Sequence, residues 1–409
     1  MTTPIARLFL AALLVNAAFD AVRVAMSYRV LALGGDAVSV GIVAATFALL
    51  PMVLALQIGR YGDRRGSWGI LTAGTVLSTA AVGLAAMSST IVALAVANTA
   101  LGLGQVMTMI GAQGFIMTLT ERKKHVNGFA MFTLAVSVGQ SIGTPIVGVL
   151  LTNGLDGDVV DTDMALIVMT VVAAASIPFV LSLPRTKPVA RNGDSSRPVP
   201  LHTLVRRTGM VPAIFAGLIV VTGVDLITAY MPVVGESIGL SPMVVSALVS
   251  TRSIFSMISR AAMPWLLQHR SQTAILIVSP IITAPAVFAL GISSNVVVLG
   301  LSLMVIGFLW GMNQPVTMNW VTVAAPSGDR VAALALRLTG NRAAQLAIPL
   351  GAGAIAGVAG PGSVFLIAGA LTVAAAASTA TSLRWHPVPE FVRASVAAKV
   401  TVVPEKQPK

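Results

Sequence analysis

Ionisable side chains lie inside several long apolar segments of this sequence, where a charge needs a partner or water. Asp20 and Arg23 are three residues apart and would share one face of a helix. Asp225 and Arg252 each lie in the middle of a later apolar segment. If these segments cross a bilayer, each charge costs at least about 2.5 kcal/mol and therefore indicates a function. Further candidates are Asn313, Gln314 and a stripe of Arg337, Asn341 and Gln345, from which Arg342 points away.

These residue types can bind an anionic or polar solute and carry a proton. Guanidinium groups, here those of Arg23, Arg252 and Arg337, bind carboxylate or phosphate through parallel hydrogen bonds. Asp20 and Asp225 are the acids at mid-depth and are the candidates to carry a proton when substrate displaces an arginine. Arg252 and Arg337 have no acid one turn away, so Asp20 or Asp225 would have to serve them from across the bundle. The sequence predicts a substrate and proton pathway through these groups.

Structural roles remain open for some of the same side chains. Asp20 and Arg23 could simply neutralise each other, and the amide side chains could form hydrogen bonds between helices. Arg29 and Arg260 lie near the ends of their segments, from which long side chains reach the membrane interface.

The stretch Gly139–Gly143 fits both the G-x-S-x-G pattern of serine hydrolases and the spacing of small residues that lets two membrane helices touch. It lies inside an apolar segment, and no histidine lies in such a segment to activate Ser141. We therefore expect Gly139, Gly143, Pro145 and Gly148 to serve helix packing. The sequence predicts no enzyme, no metal site and no cofactor. The histidines are His125, His202, His269 and His386.

The composition is that of a protein embedded in a membrane. The 409 residues are 56% hydrophobic and 10% charged, with a mean hydropathy of +0.89, whereas soluble proteins are roughly 25% charged. Apolar stretches near the ~20 residues that a spanning helix needs recur without the alternation of barrel strands. The sequence predicts an all-α membrane protein with twelve spans, at 6–32, 37–58, 69–88, 90–119, 128–151, 164–183, 210–233, 243–266, 273–293, 295–323, 333–357 and 363–383.

Charges between the spans predict the orientation in the membrane. Basic residues cluster between spans 2 and 3, between spans 4 and 5, and after span 6, whereas the alternate connections carry acidic residues. Because positive loops stay on the cytoplasmic side, we expect both termini there. The net charge of +12 is explained by contact with anionic lipids and does not require nucleic acid. The first apolar run continues to Leu33, which favours a retained span over a cleaved signal peptide.

One polar connection divides the spans six and six. Residues 184–209 are rich in proline, serine and charge, which predicts a flexible cytoplasmic linker. It would join bundles 1–183 and 210–383, and residues 384–409 would form a cytoplasmic tail. The fourth and tenth spans share a weak likeness. A repeat of this kind places the binding site between the bundles, near the middle of the membrane.

The connection between spans 2 and 3 reads Gly-Arg-Tyr-Gly-Asp-Arg-Arg-Gly over residues 59–66. It resembles the loop signature of the major facilitator superfamily, G-x-x-x-D-R/K-x-G-R/K-R/K, without the final basic pair. The resemblance implies that Asp63 docks near residues 331–333 and latches the bundles while the cytoplasmic side is closed. The terminal glycines would permit tight turns. The expected latch residues are Gly59, Asp63, Arg64 and Gly66.

Two further signatures resemble those of bacterial exporters in this superfamily. The fifth span is similar to the antiporter signature g-x-x-x-G-P-x-x-G-G, with Pro145 and Gly148 matching and the other glycines displaced. In the fourth span, Asn98 occupies the position of the arginine that proton-coupled exporters of the family often use. The resemblance therefore implies export and puts the usual proton relay in question.

Together these resemblances imply a secondary active transporter that moves a small, anionic or polar solute by alternating access. We expect a monomer in the bacterial inner membrane that contacts lipids, uses the proton as coupling ion and exports its solute. Uptake of an organic anion or a sugar by proton symport is the alternative. An exporter of hydrophobic drugs would need an aromatic cavity, but aromatic residues are 5% of the chain. A membrane sensor or scaffold, which is a different class, would need neither the buried charges nor the latch.

Overall fold

The computed structural model describes residues 3–119, 125–152, 161–185, 201–325 and 330–385. Within these ranges the regular structure is helical, without strands. The first helices are α1 Pro4–Ala32, α2 Ala37–Arg65, α3 Ser67–Ala86, α4 Ile91–Leu119, α5 His125–Leu151, α6 Thr162–Ala174 and α7 Ile177–Leu181. They are followed by α8 Leu201–Val205, α9 Met210–Ser237, α10 Pro242–His269, α11 Gln272–Ile292, α12 Val296–Ala324, α13 Arg330–Ala359 and α14 Ser363–Trp385.

Twelve helical segments of the described chain are long and apolar enough to cross a membrane. This confirms the all-α membrane fold and the number of spans. The sixth span, Thr162–Leu181, consists of α6 and α7. Pro178 lies in the first turn of α7, where the missing amide hydrogen of proline is tolerated. Hydropathy alone does not reveal this interruption, because the mean hydropathy over the whole span is high.

The junction between α2 and α3 differs from the predicted loop. α2 continues to Arg65, so Gly59 lies within a helix, and the expected turn at Gly59 is wrong. Gly66 alone separates the two helices, and its φ of 88° favours glycine because other residues would be strained there. The side chains of Asp63 and Arg64 lie outside the described residues, so their latch role stays a prediction.

Several helices begin at a side chain that supplies the hydrogen-bond partner missing at a helix start. The Asp36 carboxylate accepts a hydrogen bond of 2.9 Å from the backbone amide of Ser39 at the start of α2. This bond holds the pKa of the Asp36 carboxyl below its ordinary value. The other capping side chains are those of Asp161, Ser241, Ser271 and Asn295.

Because successive spans alternate in direction, α1 begins and α14 ends at the same face of the bundle, which we call the terminal face. The other face, where α1 ends and α2 begins, is called the opposite face. Within the first six spans α3 packs against α4 and α1 against α5, and within the last six α10 packs against α12 and α11 against α14. Between the two sets, α2 packs against α13 and α5 against α10. These four helices form the main interface between the sets.

Small residues allow the close approach of α5 to its neighbours. A Cβ atom added at Gly139 would collide with the backbone of Leu13 in α1, and one added at Gly143 would collide with the carbonyl group of Ala17. Gly148 lies against Ser246 of α10, so it contacts the other set of spans. Pro145 lies within α5. The structure therefore places these glycines where two helices meet, and Ser141 donates its hydroxyl hydrogen to the Ser137 carbonyl one turn earlier.

Candidate functional site

An ion pair joins the two sets of spans in the interior of the protein. Nη1 of Arg23 in α1 donates a hydrogen bond of 2.7 Å to Oδ1 of Asp225 in α9. The two residues are 8% and 7% exposed. A buried, charge-assisted bond of this length is among the stronger hydrogen bonds that proteins form. It links helices that belong to different halves of the chain.

The second oxygen of Asp225 is also occupied. Nε2 of Gln345 in α13 donates to Oδ2 of Asp225, and Nη1 of Arg342 donates to Oε1 of Gln345 at 3.0 Å. Arg342, Gln345, Asp225 and Arg23 therefore form a continuous hydrogen-bonded series, here called the polar chain. It runs from α13 through α9 to α1, so three spans meet at one carboxylate.

The aromatic ring of Phe47 in α2 lies close to both arginines of the polar chain. Cζ of Arg23 is 4.8 Å from the ring centroid, and Cζ of Arg342 is 5.8 Å from it. Both distances fall within the roughly 6 Å over which a cation is attracted to an aromatic face. Phe47 is buried. The ring therefore attracts both guanidinium groups.

A second ion pair connects α1 to α10. Nη2 of Arg252 lies 3.8 Å from Oδ2 of Asp20, and the same nitrogen donates to Oγ of Ser253 at 2.9 Å. The separation of 3.8 Å is too long for a hydrogen bond, so this contact is electrostatic. Among the described ion pairs, Asp20 and Arg23 each bind a residue of the other six spans rather than each other. The described ion-pair partner of each residue therefore lies across the bundle and not on α1, and mutual neutralisation along α1 stays a prediction.

The charges around the polar chain do not cancel. Three guanidinium groups, those of Arg23, Arg252 and Arg342, face the two carboxylates of Asp20 and Asp225. The electrostatic influence of Asp225 extends to Arg252 and Arg342 as well as to its direct partner. One positive charge in this group thus has no carboxylate to match it among the described side chains.

The other predicted site residues lie outside these pairs. Nη2 of Arg337 contacts Oγ1 of Thr317 at 3.5 Å, and Asn313 contacts a serine hydroxyl of α11 at the same distance. Gln314 is half-buried. Asn341 is buried, and its Oδ1 has no hydrogen-bond partner among the described atoms. The structure thus joins Asp20, Arg23, Asp225 and Arg252 in ion pairs. The other predicted residues, Arg337, Asn313, Gln314 and Asn341, belong to neither pair.

Two arginines expected at the membrane interface are held by protein groups. Nη1 of Arg260 in α10 donates to Oγ of Ser137 in α5 at 2.7 Å, a contact between the two sets of spans. The prediction that Arg260 reaches the interface is therefore wrong. Arg29 donates to the carbonyl oxygen of Ser88 at 2.8 Å and pairs with the exposed carboxylate of Asp163. Arg29 thus fastens the end of α1 to the connection between α3 and α4 and to α6 at the opposite face.

A small cavity adjoins Arg23 on the side of the opposite face. Its volume of about 20 Å³ has room for roughly one water molecule. Ser27 and Asn98 contribute the remaining polar side chains of its lining. Nδ2 of Asn98 donates to the carbonyl oxygen of Val43 at 2.6 Å, while its Oδ1 lacks a partner among the described atoms. Asn98 therefore ties α4 to α2 and presents an acceptor close to this cavity.

Close backbone contacts join the two sets of spans at the opposite face. The hydroxyl group of Tyr230 in α9 donates to the carbonyl oxygen of Ala37 in α2 at 3.0 Å. A Cβ atom on Gly41 would lie 3.0 Å from Cα of Gly353, which is in α13. Tyr230 is fully buried in this contact. The helices α2, α9 and α13 are therefore packed without space for a solute between them at this face.

The sequence did not predict that Arg342 contacts both Gln345 and the ring of Phe47. Gln345 belonged to the predicted stripe on α13, but Arg342 was expected to point away from it, and this expectation is wrong. The spacing of three residues between Arg342 and Gln345 is the signal that points to their contact, because such residues are neighbours on a helix. Phe47 carries no comparable signal, since its role depends on a contact between separate helices.

Comparison with known proteins gives a consistent result. A family model described as Major Facilitator Superfamily matches residues 8–330. The fold is similar to that of the nucleoside transporter NupG, with a TM-score of 0.74 and 15% identity over 93% of this chain and 99% of that one. It is also similar to an inward-facing bacterial homologue of the human lysosomal transporter Spinster, with a TM-score of 0.73 and 12% identity over 94% and 98% of the two chains. No curated protein sequence matches this chain.

Proposed function

Since this chain belongs to the major facilitator superfamily and transports its solute by alternating access, we propose that protons drive the transport and that the solute is a small anion. In this mechanism the two sets of six spans expose a shared site to one face at a time. Contacts between the sets must therefore break and form in each cycle. The ion pairs between Arg23 and Asp225 and between Asp20 and Arg252 are contacts of this kind.

The observation that best supports this proposal is the buried ion pair of Arg23 and Asp225. Separating the pair would leave two buried charges without partners, which costs free energy for each residue. Removing one partner of a buried ion pair typically costs about 3–5 kcal/mol, since a charge remains without compensation. A proton on Asp225 would neutralise the carboxylate, and an anion among the neighbouring arginines would restore the lost negative charge. The two ligands together therefore permit a movement that neither permits alone.

This reasoning favours movement of the proton and the anion in the same direction. If both ligands bind together, they cross together, and a proton gradient directed into the cell then drives uptake. Uptake of an organic anion by symport is thus better supported by the geometry than proton-coupled export. Export retains the support of the displaced fifth-span signature, which includes Pro145 and Gly148. It would require that binding of the proton and binding of the solute exclude each other at the same charged site.

The direction and the charge of the solute can be tested together in proteoliposomes. Radiolabelled gluconate and inorganic phosphate are the charged probes, and glucose and uridine are the uncharged probes, because none of them crosses lipid readily. Symport predicts accumulation of a charged probe when the external solution is more acidic than the interior. Accumulation with the acidic solution inside would support exchange and hence export. If the rate and extent of uptake of every probe were the same with and without the pH gradient, this result would contradict proton coupling.

A further inference from the structure

Arg342 is the member of the polar chain whose positive charge is unmatched. Among the described side chains, no carboxylate oxygen lies within 4.0 Å of its guanidinium group, and its Nε has no hydrogen-bond partner. Its Nη1 donates to a neutral acceptor, Oε1 of Gln345. Arg23 and Arg252, by contrast, each have an aspartate. An anion that enters this region therefore meets one arginine that does not have to give up a carboxylate.

Arg342 is less buried than its neighbours in the polar chain. The residue is half-buried, whereas Asp225 and Gln345 are buried. It lies beside Phe47 at the contact between α2 and α13, which are two of the helices that connect the sets of spans. A guanidinium group with free N–H donors presents a planar fork that fits a carboxylate or a phosphate.

We propose that Arg342 binds the anionic group of the solute and that Gln345 transmits this binding to Asp225. This inference rests on the proton coupling proposed above. An anion bound at Nη1 of Arg342 takes the donor that Oε1 of Gln345 now uses. The amide of Gln345 then has no partner that fixes its orientation, and its Nε2 leaves Oδ2 of Asp225. A hydronium ion then transfers its proton to the oxygen that has lost its donor: the O–H bond of the carboxyl group forms as one O–H bond of the hydronium ion breaks, and a water molecule is released.

The same geometry defines the class of solute. One unmatched positive charge accommodates a single carboxylate or a phosphate group. Binding of the anion and protonation of Asp225 neutralise two charges at once. The loaded site then carries no more net charge than the empty site, which allows the two sets of spans to move past it.

The anion site is tested by thermal unfolding of the purified protein in detergent. The probes are gluconate, lactate and inorganic phosphate, with glucose and lactamide as uncharged counterparts. At least one anion is expected to raise the unfolding temperature of the wild type, because a ligand that binds the folded state stabilises it, while the uncharged counterparts have no effect. Arg342→Gln is expected to lose this stabilisation, and Arg342→Lys to keep part of it. Arg270→Gln is the matched control, because Arg270 is exposed at the end of α10.

The result that would overturn the anion site is equally specific. It is stabilisation of Arg342→Gln equal to that of the wild type, or a wild type that none of the anions stabilises. If Arg342→Gln does not fold, Arg342→Lys is used instead. Affinity of Arg342→Lys for every probe equal to that of the wild type would also contradict recognition by the planar guanidinium group.

The role of Gln345 is tested by proton uptake from a weakly buffered solution when the stabilising anion is added. The wild type is expected to take up about one proton for each anion bound, because binding and protonation are linked. Gln345→Leu is expected to bind the anion without this uptake. Uptake by Gln345→Leu equal to that of the wild type would overturn the transmission through Gln345. Anion binding at Arg342 without proton uptake in the wild type would instead refute proton coupling while leaving the anion site in place.

Discussion

Arg23 and Asp225 share a hydrogen bond of 2.7 Å although 202 positions separate them in the sequence. This bond joins the first span to the seventh, so a single carboxylate connects the two sets of helices that alternating access moves apart. The same carboxylate also accepts a hydrogen bond from Gln345 of α13. Any rearrangement between the sets must therefore change the environment of Asp225, and this is why we propose that its protonation is coupled to the movement.

The ion pair of Asp20 and Arg252 is expected to show strong coupling between its members. Either Asp20→Asn or Arg252→Gln leaves one buried charge without its partner, which we expect to cost about 3 kcal/mol of stability. The double variant is expected to lose less than the sum of the two single losses, because neither charge then remains. Unfolding temperatures of the three variants in detergent give the comparison. Strictly additive losses would contradict a direct interaction across the 3.8 Å separation.

The closed arrangement of the opposite face can be tested by a reversible cross-link. A Cβ atom at Gly357 would lie 2.6 Å from Cγ2 of Val38, so cysteines at both positions would lie close enough to react with each other and link α2 to α13. The sequence contains no cysteine, so the pair Val38→Cys and Gly357→Cys would react alone. Oxidation is expected to stop transport and reduction to restore it, because the face could no longer open.

The two single-cysteine variants are the controls for this cross-link, and both are expected to transport in oxidising conditions as they do in reducing conditions. Full transport by the oxidised pair, with the cross-link confirmed by mass spectrometry, would show that α2 and α13 need not separate at this face.

Replacement of Gly143 is expected to disturb the packing of α5 on α1. A Cβ atom at this position meets the carbonyl group of Ala17, which is backbone and cannot turn aside. We expect Gly143→Ala to cost about 1–3 kcal/mol of stability, as overpacking typically does. Gly351→Ala is the matched control, because nothing lies within 4 Å of its added Cβ atom. A Gly143→Ala variant that unfolds at the temperature of Gly351→Ala would disprove the close contact.

The cap of α2 predicts a defined dependence of stability on pH. The hydrogen bond from Ser39 lowers the folded-state pKa of Asp36, so the stability that the carboxylate contributes is fully present above its unfolded-state pKa. It is lost as the pH falls through the lowered folded-state value. The difference in unfolding temperature between the wild type and Asp36→Ala should therefore stay constant near neutral pH and shrink in acid. A difference that grows as the pH falls would have the wrong sign.

The parts of the structure that the sequence predicted are those that depend on local properties. The spans follow from hydropathy, because each must bury its backbone in lipid with its own hydrogen bonds. Asp20, Arg23, Asp225 and Arg252 stand out because a charge in an apolar segment is costly wherever its partner lies. Their partners depend on the rotation of α1, α9 and α10 about their own axes, and no spacing within one helix encodes that rotation.

Local pattern also misled in identifiable ways. The glycine at position 59 was expected to form a turn, but α2 continues to Arg65, beyond the end of the apolar span at Ala55, and the turn falls at Gly66. Arg342 was set aside because it lies off the stripe of Arg337, Asn341 and Gln345. Its long side chain nonetheless reaches Gln345, since residues three apart on a helix are neighbours. A flexible side chain can join a face that its Cα does not occupy.

The most direct test of proton coupling through Asp225 compares two fluxes of the same anion in proteoliposomes containing Asp225→Asn. One flux is driven by a pH gradient, and the other is exchange of internal for external anion without a gradient. Asp163→Asn is the control, because the carboxylate of Asp163 is exposed and lies at the opposite face. We predict that Asp225→Asn loses gradient-driven accumulation and retains exchange, while Asp163→Asn retains both. Accumulation by Asp225→Asn that follows the pH gradient as the wild type does would contradict the account.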